Sequence, residues 1–183
     1  MRRAVFLDRD GVLNRALVRD GLPYAPKTLE EFELLPGVKD ACLRLRQEGF
    51  LLIVVTNQPD IARGVQTTSS LDEMHQVLRE SVPVDDILVC SHDNSDRCQC
   101  RKPLPGLLLT AAQDWNVHLE ASFVVGDRWR DVDAGMAAGC TTIFIDHGYR
   151  EPLRAAPDWK VRSLPEATDW ILKQAPCSME ESR

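Results

Sequence analysis

Two aspartates one residue apart close the apolar run "AVFL" at residues 4–7: Asp8 and Asp10, with Arg9 between them and Gly11 behind them. Carboxylates this close repel one another unless a cation lies among them or one carries a proton. A third carboxylate, Asp127, ends another apolar run, "FVV" at 123–125 followed by Gly126. Mg²⁺ takes oxygen ligands and keeps several waters, so Asp8 and Asp127 with one backbone carbonyl suffice for a Mg²⁺ site. An EF-hand calcium loop is excluded, because the glycine falls at the fourth loop position and not the sixth. Taken alone, "DRDG" reads equally as a polar turn.

A second metal signature is separate from the first. "CSHDNSDRCQC" places Cys90, His92, Cys98 and Cys100 within eleven residues. Three thiolates and an imidazole match a tetrahedral zinc site with no open position, hence a structural one. The alternatives are a disulfide with a spare thiol, or a redox centre; a reducing compartment disfavours the disulfide. The loop holds little apolar content, so bound metal would supply its order. Arg101 and Lys102 follow the last cysteine directly, and zinc there would fix the lysine. Cys42, Cys140 and Cys177 stand alone and read as ordinary thiols.

These residues need a frame. The runs "AVFL" 4–7, "LLIVV" 51–55, "ILV" 87–89, "FVV" 123–125 and "TIFI" 142–145 are short, rich in β-branched or aromatic residues, and bounded by polar or glycine residues. Such runs suit strands buried on both faces. Between them lie helical stripes: Val38, Ala41, Cys42, Leu45; Leu71, Met74, Val77, Leu78, with Ser70 as N-cap; Leu108, Ala111, Trp115; Val132, Met136; and Ala167, Trp170, Ile171. Alternating strands and helices predict an α/β fold with a doubly wound parallel sheet. Residues 15–37, broken by Pro23, Pro26 and Pro36, read as a loop. One domain over 1–174 and a flexible tail over 175–183 are expected. In a parallel sheet the residues after each run, Asp8 to Asp10, Thr56 to Gln58, Cys90 to His92, Asp127, and Asp146 with His147, share one edge. Open α/β sheets bind ligands at that edge.

Three further pieces occur in order: "VVTNQ" with Thr56 at a strand end, "CRKPLPG" with Lys102, and "VVGDRWRD" with Asp127 and Asp131. With Asp8-x-Asp10-Gly11, they make the chain resemble the haloacid dehalogenase superfamily of phosphotransferases over roughly residues 3–148. The resemblance implies a Rossmann-like fold, capless here because the intervals between motifs leave room for loops only. It implies Asp8 as nucleophile, forming a phosphoaspartate, and Asp10 as proton donor and then acceptor, its backbone carbonyl also on Mg²⁺. Thr56 and Lys102 would hold the phosphoryl oxygens, and Asp127 would complete the metal site. Asp131 would orient Lys102 or a metal-bound water; by its position it reads equally as a first-turn helix carboxylate. An intact Asp10 points to hydrolysis of an ester with an alcohol leaving group. The Cys/His loop leading into "RKP" is similar to the branch that holds the heptose-bisphosphate and histidinol-phosphate phosphatases. "DRDGVLN" and "TNQPDIARG" favour the heptose side, in which Ser-Gly usually stands where this chain has Pro59-Asp60. Substrate selection then falls to loops 14–36, 57–64 and 91–101, with Asn57, Gln58, Arg101 and Arg63 as candidate substrate contacts. Each arginine reads also as a solvated surface residue. The sequence does not decide whether Arg128 or His147 reaches the substrate.

Composition bounds the partners. A net charge of −6 without a Lys/Arg run disfavours nucleic acid, and with it an end-processing 3′-phosphatase, which needs a basic groove. No apolar run is long enough to span a membrane, and the start lacks the apolar stretch of a secretory leader. A cytoplasmic monomer acting on a small phosphorylated sugar is the expectation. A non-catalytic phosphate-binding zinc module would be expected to break the Asp8/Asp10 pair, which is intact.

Overall fold

In the computed structural model, which describes residues 1–174, six strands form one parallel sheet. They are β1 (Ala4–Leu7), β4 (Leu51–Asn57), β5 (Asp86–Cys90), β6 (Phe123–Gly126), β7 (Thr141–Ile145) and β8 (Trp159–Val161), in the order β5-β4-β1-β6-β7-β8. The expected tail and Cys177 lie outside the described residues. The chain leaves β1 in one direction to build β4 and β5, then returns to β1's other side for β6, β7 and β8. That reversal is the point at which such sheets open a crevice.

The unbroken apolar runs follow from burial on both faces. Val5 and Leu7 join Leu52, Val54, Val125 and Ile143 in one core, against α1 (Val38–Gln47) and α5 (Leu164–Gln174). Ala4 and Phe6 join Leu51, Ile53 and Val124 in the other, against α3 (Gly106–Trp115) and α4 (Trp129–Ala138). Period-two alternation thus divides between two apolar layers, and no face of β1 is left for polar residues.

The structure corrects three local expectations and adds one strand. Residues 15–37 hold a β-hairpin, β2 (Leu17–Arg19) and β3 (Leu22–Tyr24), and a 3₁₀ turn at Leu29–Glu31. Asp20 and Gly21 take φ of 53° and 77°, the two positive values a two-residue hairpin turn requires. The Asp-Gly pair was the signal, outweighed by the prolines; Pro23 is tolerated because the hairpin has only two strands. Helix α2 (Thr68–Ser81) starts ahead of Ser70: Thr67 is the N-cap, and its Oγ1 accepts from the Ser70 amide at 3.1 Å. Met136 is half exposed; the inward face of α4 turns instead through Gly135, where a Cβ would stand 2.7 Å from Thr142 Cγ2. Strand β8 escaped notice because three residues carry too little pattern.

Candidate active site

Asp8 leaves β1 with its amide bonded to Val125 O, and its Oδ1 accepts from the Arg9 amide at 2.8 Å. The same oxygen lies 2.9 Å from Lys102 Nζ. Lys102 is fully enclosed, and its three donors have three acceptors: Asp8, Asp131 Oδ1 at 2.6 Å and Val55 O at 2.7 Å. Burial alone would discharge this lysine, but Asp131 and Asp8 outweigh it and hold its pKa above the ordinary value. Burial raises Asp8 to about 6; Lys102 opposes the shift, while Asp131 and Asp10 add to it. Asp131 serves two functions: beside Lys102, it accepts the Arg128 amide on Oδ2 at 3.0 Å in the first turn of α4. Its place in the first turn of α4 is thus combined with a contact to Lys102.

Asp127 is the exceptional group. It is 1% exposed, and among the described residues neither carboxylate oxygen has a hydrogen-bond partner. Burial first, then the charges of Asp8 and Asp131, drive its pKa well above the usual range. The Tyr149 hydroxyl is near enough to oppose that shift, without hydrogen-bond geometry. Asp8, Asp127 and Asp131 each offer an oxygen within 4.8 Å of the others. Two orphaned carboxylate oxygens among three carboxylates, with one lysine spent on two of them, are a donor set that fits a small hard cation. Gly11 makes room for it: its φ is +84°, and a Cβ there would come within 1.8 Å of Asp127 Oδ2.

Asp10 points elsewhere. Arg9 grips it by Nε and Nη2, Asn14 Nδ2 donates to Oδ1 at 3.0 Å and Gln58 Nε2 to Oδ2 at 2.8 Å. Gln58 donates also to Thr56 Oγ1 at 2.8 Å, so Thr56 reaches Asp10 through Gln58. Thr56 is buried and stands behind the cavity wall. Asn57 turns to Lys102, donating to its carbonyl at 3.0 Å and accepting its amide at 3.1 Å, which fixes the lysine's backbone. Asp8, Asp10, Lys102 and Asp127 face a cavity of about 330 Å³. Leu22, Pro23 and Tyr24 of the hairpin line it, and so do Arg101, Arg128 and Arg130.

Arg63 lines the rim, but Asp93 at 2.7 Å and Asp60 at 3.4 Å already neutralise it. Arg101 donates to Asn94 Oδ1 and His92 O, within the cysteine loop. His147 lies outside the cavity and donates from Nε2 to Gly11 O at 2.7 Å, tying the loop after β7 to the loop after β1. Sequence reasoning missed Arg9, Asn14, Arg130, Tyr149 and Glu151. Glu151 holds Arg128 at 2.6 Å across 23 residues, a pairing without periodicity. Arg9 stood in the motif, but nothing in its spacing says that the side chain turns inward.

The second cluster also closes. Cys90, Cys98 and Cys100 are free thiols. Cys90 Sγ lies 3.2 Å from Cys100 Sγ and 3.7 Å from both Cys98 Sγ and His92 Nδ1. Bonds of about 2.3 Å to a central zinc give a tetrahedron with edges of about 3.8 Å, close to these separations. The donor set fits zinc and leaves no side open.

Residues 99–167 match the family model described as HAD-hydrolase-like. A D-glycero-beta-D-manno-heptose-1,7-bisphosphate 7-phosphatase of Yersinia pestis is 37% identical over 178 residues, covering 88% of this chain and 90% of the relative. The enzyme of the same name from Escherichia coli K12 is 36% identical over 186 residues, covering 93% and 94%. Among solved structures, the D,D-heptose 1,7-bisphosphate phosphatase of B. bronchiseptica, complexed with magnesium and phosphate, superposes with a TM-score of 0.77 at 31% identity, covering 94% of this chain and 99% of that one. With its parallel sheet and its carboxylates at one edge, the chain belongs to the haloacid-dehalogenase-like hydrolases, in the family of the heptose-bisphosphate phosphatases.

Proposed function

We propose that the chain is a Mg²⁺-dependent phosphomonoesterase that removes the 7-phosphate of D-glycero-D-manno-heptose 1,7-bisphosphate. One observation carries the chemistry: Asp8 faces the cavity against Lys102, with the orphaned oxygens of Asp127 beside it and Asp10 two residues on. Asp8 attacks phosphorus; the new O–P bond forms as the P–O bond to the sugar breaks, and Asp10 delivers its proton to the leaving oxygen. Asp10 then takes a proton from the water that attacks the phosphoaspartate, and phosphate leaves with Asp8 restored. Lys102 holds the phosphoryl oxygens, while Asp131 and Asn57 hold Lys102. Mg²⁺ on Asp8, Asp127 and the Asp10 carbonyl would supply neutralisation of phosphoryl charge and of the carboxylates. Thr56 contributes through Gln58, to which it is bonded.

The substrate assignment draws on the names of the relatives and on the cationic wall. Arg101 and Arg130 line the cavity without an ion-pair partner among the described residues, so they suit a second phosphate better than the neutralised Arg63. The Cys/His site acts as a structural zinc that fixes Arg101 and Lys102. Phosphate release with heptose 1,7-bisphosphate, histidinol phosphate and simple alkyl phosphates, with and without Mg²⁺, tests the reading. The bisphosphate should be preferred, and Asp8→Asn should abolish turnover with the fold kept. Near wild-type activity of Asp8→Asn removes the nucleophile; preference for histidinol phosphate removes the substrate.

A further inference from the structure

Among the described residues Arg9 is the largest side chain enclosed without any exposure, and it carries a charge. A buried guanidinium is costly unless its donors are paired. One edge is paired with Asp10: Nε donates to Oδ1 at 3.0 Å, and Nη2 to Oδ1 at 2.9 Å and Oδ2 at 3.1 Å. The other end, Nη1, has one acceptor, His75 Nε2 at 3.2 Å. Behind the guanidinium lies the Phe32 ring, its centroid 5.8 Å away. The fork is therefore fixed at two ends, one on the carboxylate after β1 and the other on helix α2.

His75 lies on the inward face of α2 with Leu71, Met74 and Leu78. An ordinary core histidine would explain that placement. It does not explain a ring nitrogen aimed at the only guanidinium end that Asp10 leaves free. Burial, then the charge of Arg9, lower the His75 pKa to about 4, so the ring is neutral and Nε2 accepts. The tautomer follows: the proton sits on Nδ1.

We infer that His75 is a positioning residue for the general acid–base Asp10, acting through Arg9: it anchors the far end of the guanidinium and so fixes the plane in which Asp10 is gripped. The inference rests on the role proposed for Asp10. Among the described residues the Arg9 guanidinium pairs with the Asp10 carboxylate and with no other, so its orientation is transmitted to that one group. Asn14 and Gln58 hold Asp10 from other directions and keep the carboxylate in place when His75 is lost, but not its angle. Misplacement of a reacting group by about 1 Å can cost 10²-fold.

The test separates this role from a merely structural one by the leaving group. Single-turnover formation of the phosphoenzyme is measured with an alkyl ester, a sugar phosphate, and with p-nitrophenyl phosphate, whose leaving group needs no proton. His75→Leu should slow the alkyl ester by about 10- to 100-fold with KM little changed, and leave the aryl ester within about twofold. His75→Gln, which can present an acceptor to Nη1, should restore the alkyl rate; His75→Asn, too short, should not. Equal slowing of both esters, alkyl rates within about twofold of wild type in His75→Leu, or no difference between Gln and Asn would each overturn the inference. If His75→Leu does not fold, the Gln and Asn comparison decides alone. Asp10→Asn is the control: if it shows no leaving-group dependence, the reading of Asp10 has failed, independently of His75.

Discussion

Lys102→Met removes a charge and keeps most of the length of the side chain, and its cost can be worked from the contacts. Lys102 is the cation shared by Asp8 at 2.9 Å and Asp131 at 2.6 Å, with Asp127 in the same cluster. Removing one partner of a buried pair costs about 3–5 kcal/mol, because the other charge stays buried alone. For a chain of this size each kcal/mol moves the melting temperature by about 2–4 °C, so a fall of about 6–20 °C is expected in Mg²⁺-free buffer. The loss should depend on pH. The folded-state pKa of Asp8 is raised to about 6, and burial with the charges of Asp8 and Asp131 raises that of Asp127 well above the usual range. For a raised carboxylate, stability is fully present below the unfolded value near 4 and is lost as pH rises through the folded value. The variant should therefore melt closer to wild type at pH 5 than at pH 8, and saturating Mg²⁺ should recover part of the difference at pH 8. Adding Asp131→Asn removes one stranded charge, so the double variant should lose less than the sum of the singles by at least about 1 kcal/mol. Thermal unfolding followed by circular dichroism reads all of this. A Lys102→Met protein that melts within about 2 °C of wild type at pH 8 without Mg²⁺ would refute the reasoning.

Three further outcomes are expected. Protein purified without added metal should carry one zinc per chain by elemental analysis, and Cys98→Ser/Cys100→Ser should lose it and raise KM while the sheet stays folded; no zinc, or an unchanged KM, contradicts the site's role. Mg²⁺ affinity should weaken as pH falls through about 6, with proton release seen by calorimetry in buffers of different ionisation enthalpy, since Asp8 and Asp127 must ionise to bind it; a flat profile contradicts the assignment of ligands. Gly11→Ala should cut kcat/KM by at least about 100-fold, because a Cβ there meets Asp127 Oδ2 and the φ of +84° strains any side chain; near-normal kinetics would mean that Asp127 is not needed where it stands.

The sheet was legible because burial on both faces leaves a signal that survives without context: five short apolar runs correspond to β1, β4, β5, β6 and β7. The edge they share was legible too, since parallel pairing puts Asp8, Thr56, Cys90 and Asp127 at like ends. What stayed hidden was direction. Arg9 turns inward while its neighbours face the cavity, and Arg128 finds Glu151 across the loop after β7. Such contacts depend on how loops return, which no local period records. Gln58 illustrates the limit: its place in "TNQ" suggested a substrate contact, and it lines the cavity, but nothing in the motif records that its amide also joins Thr56 to Asp10. The hairpin was hidden for another reason, since Asp20-Gly21 was readable turn chemistry but three prolines around it argued the other way.

Strand β1 has only four residues, yet both of its edges are occupied, by β4 from residues before Lys102 and by β6 from residues after it. The crevice is thus a seam between two consecutive stretches of chain. On a ribosome the earlier stretch emerges first, and the side of β1 that pairs with β6 then has no partner. The bare side is a template for any passing strand until Phe123–Gly126 arrives. The strand that covers it also brings Asp127, and with it the anionic crowding. Asp131, in the first turn of the following helix, closes on Lys102 and fastens the seam at the point of greatest repulsion. The ion pair proposed to hold a phosphate-binding lysine thus also joins the two stretches of chain, so selection for catalysis and selection for a closed sheet act on one lysine.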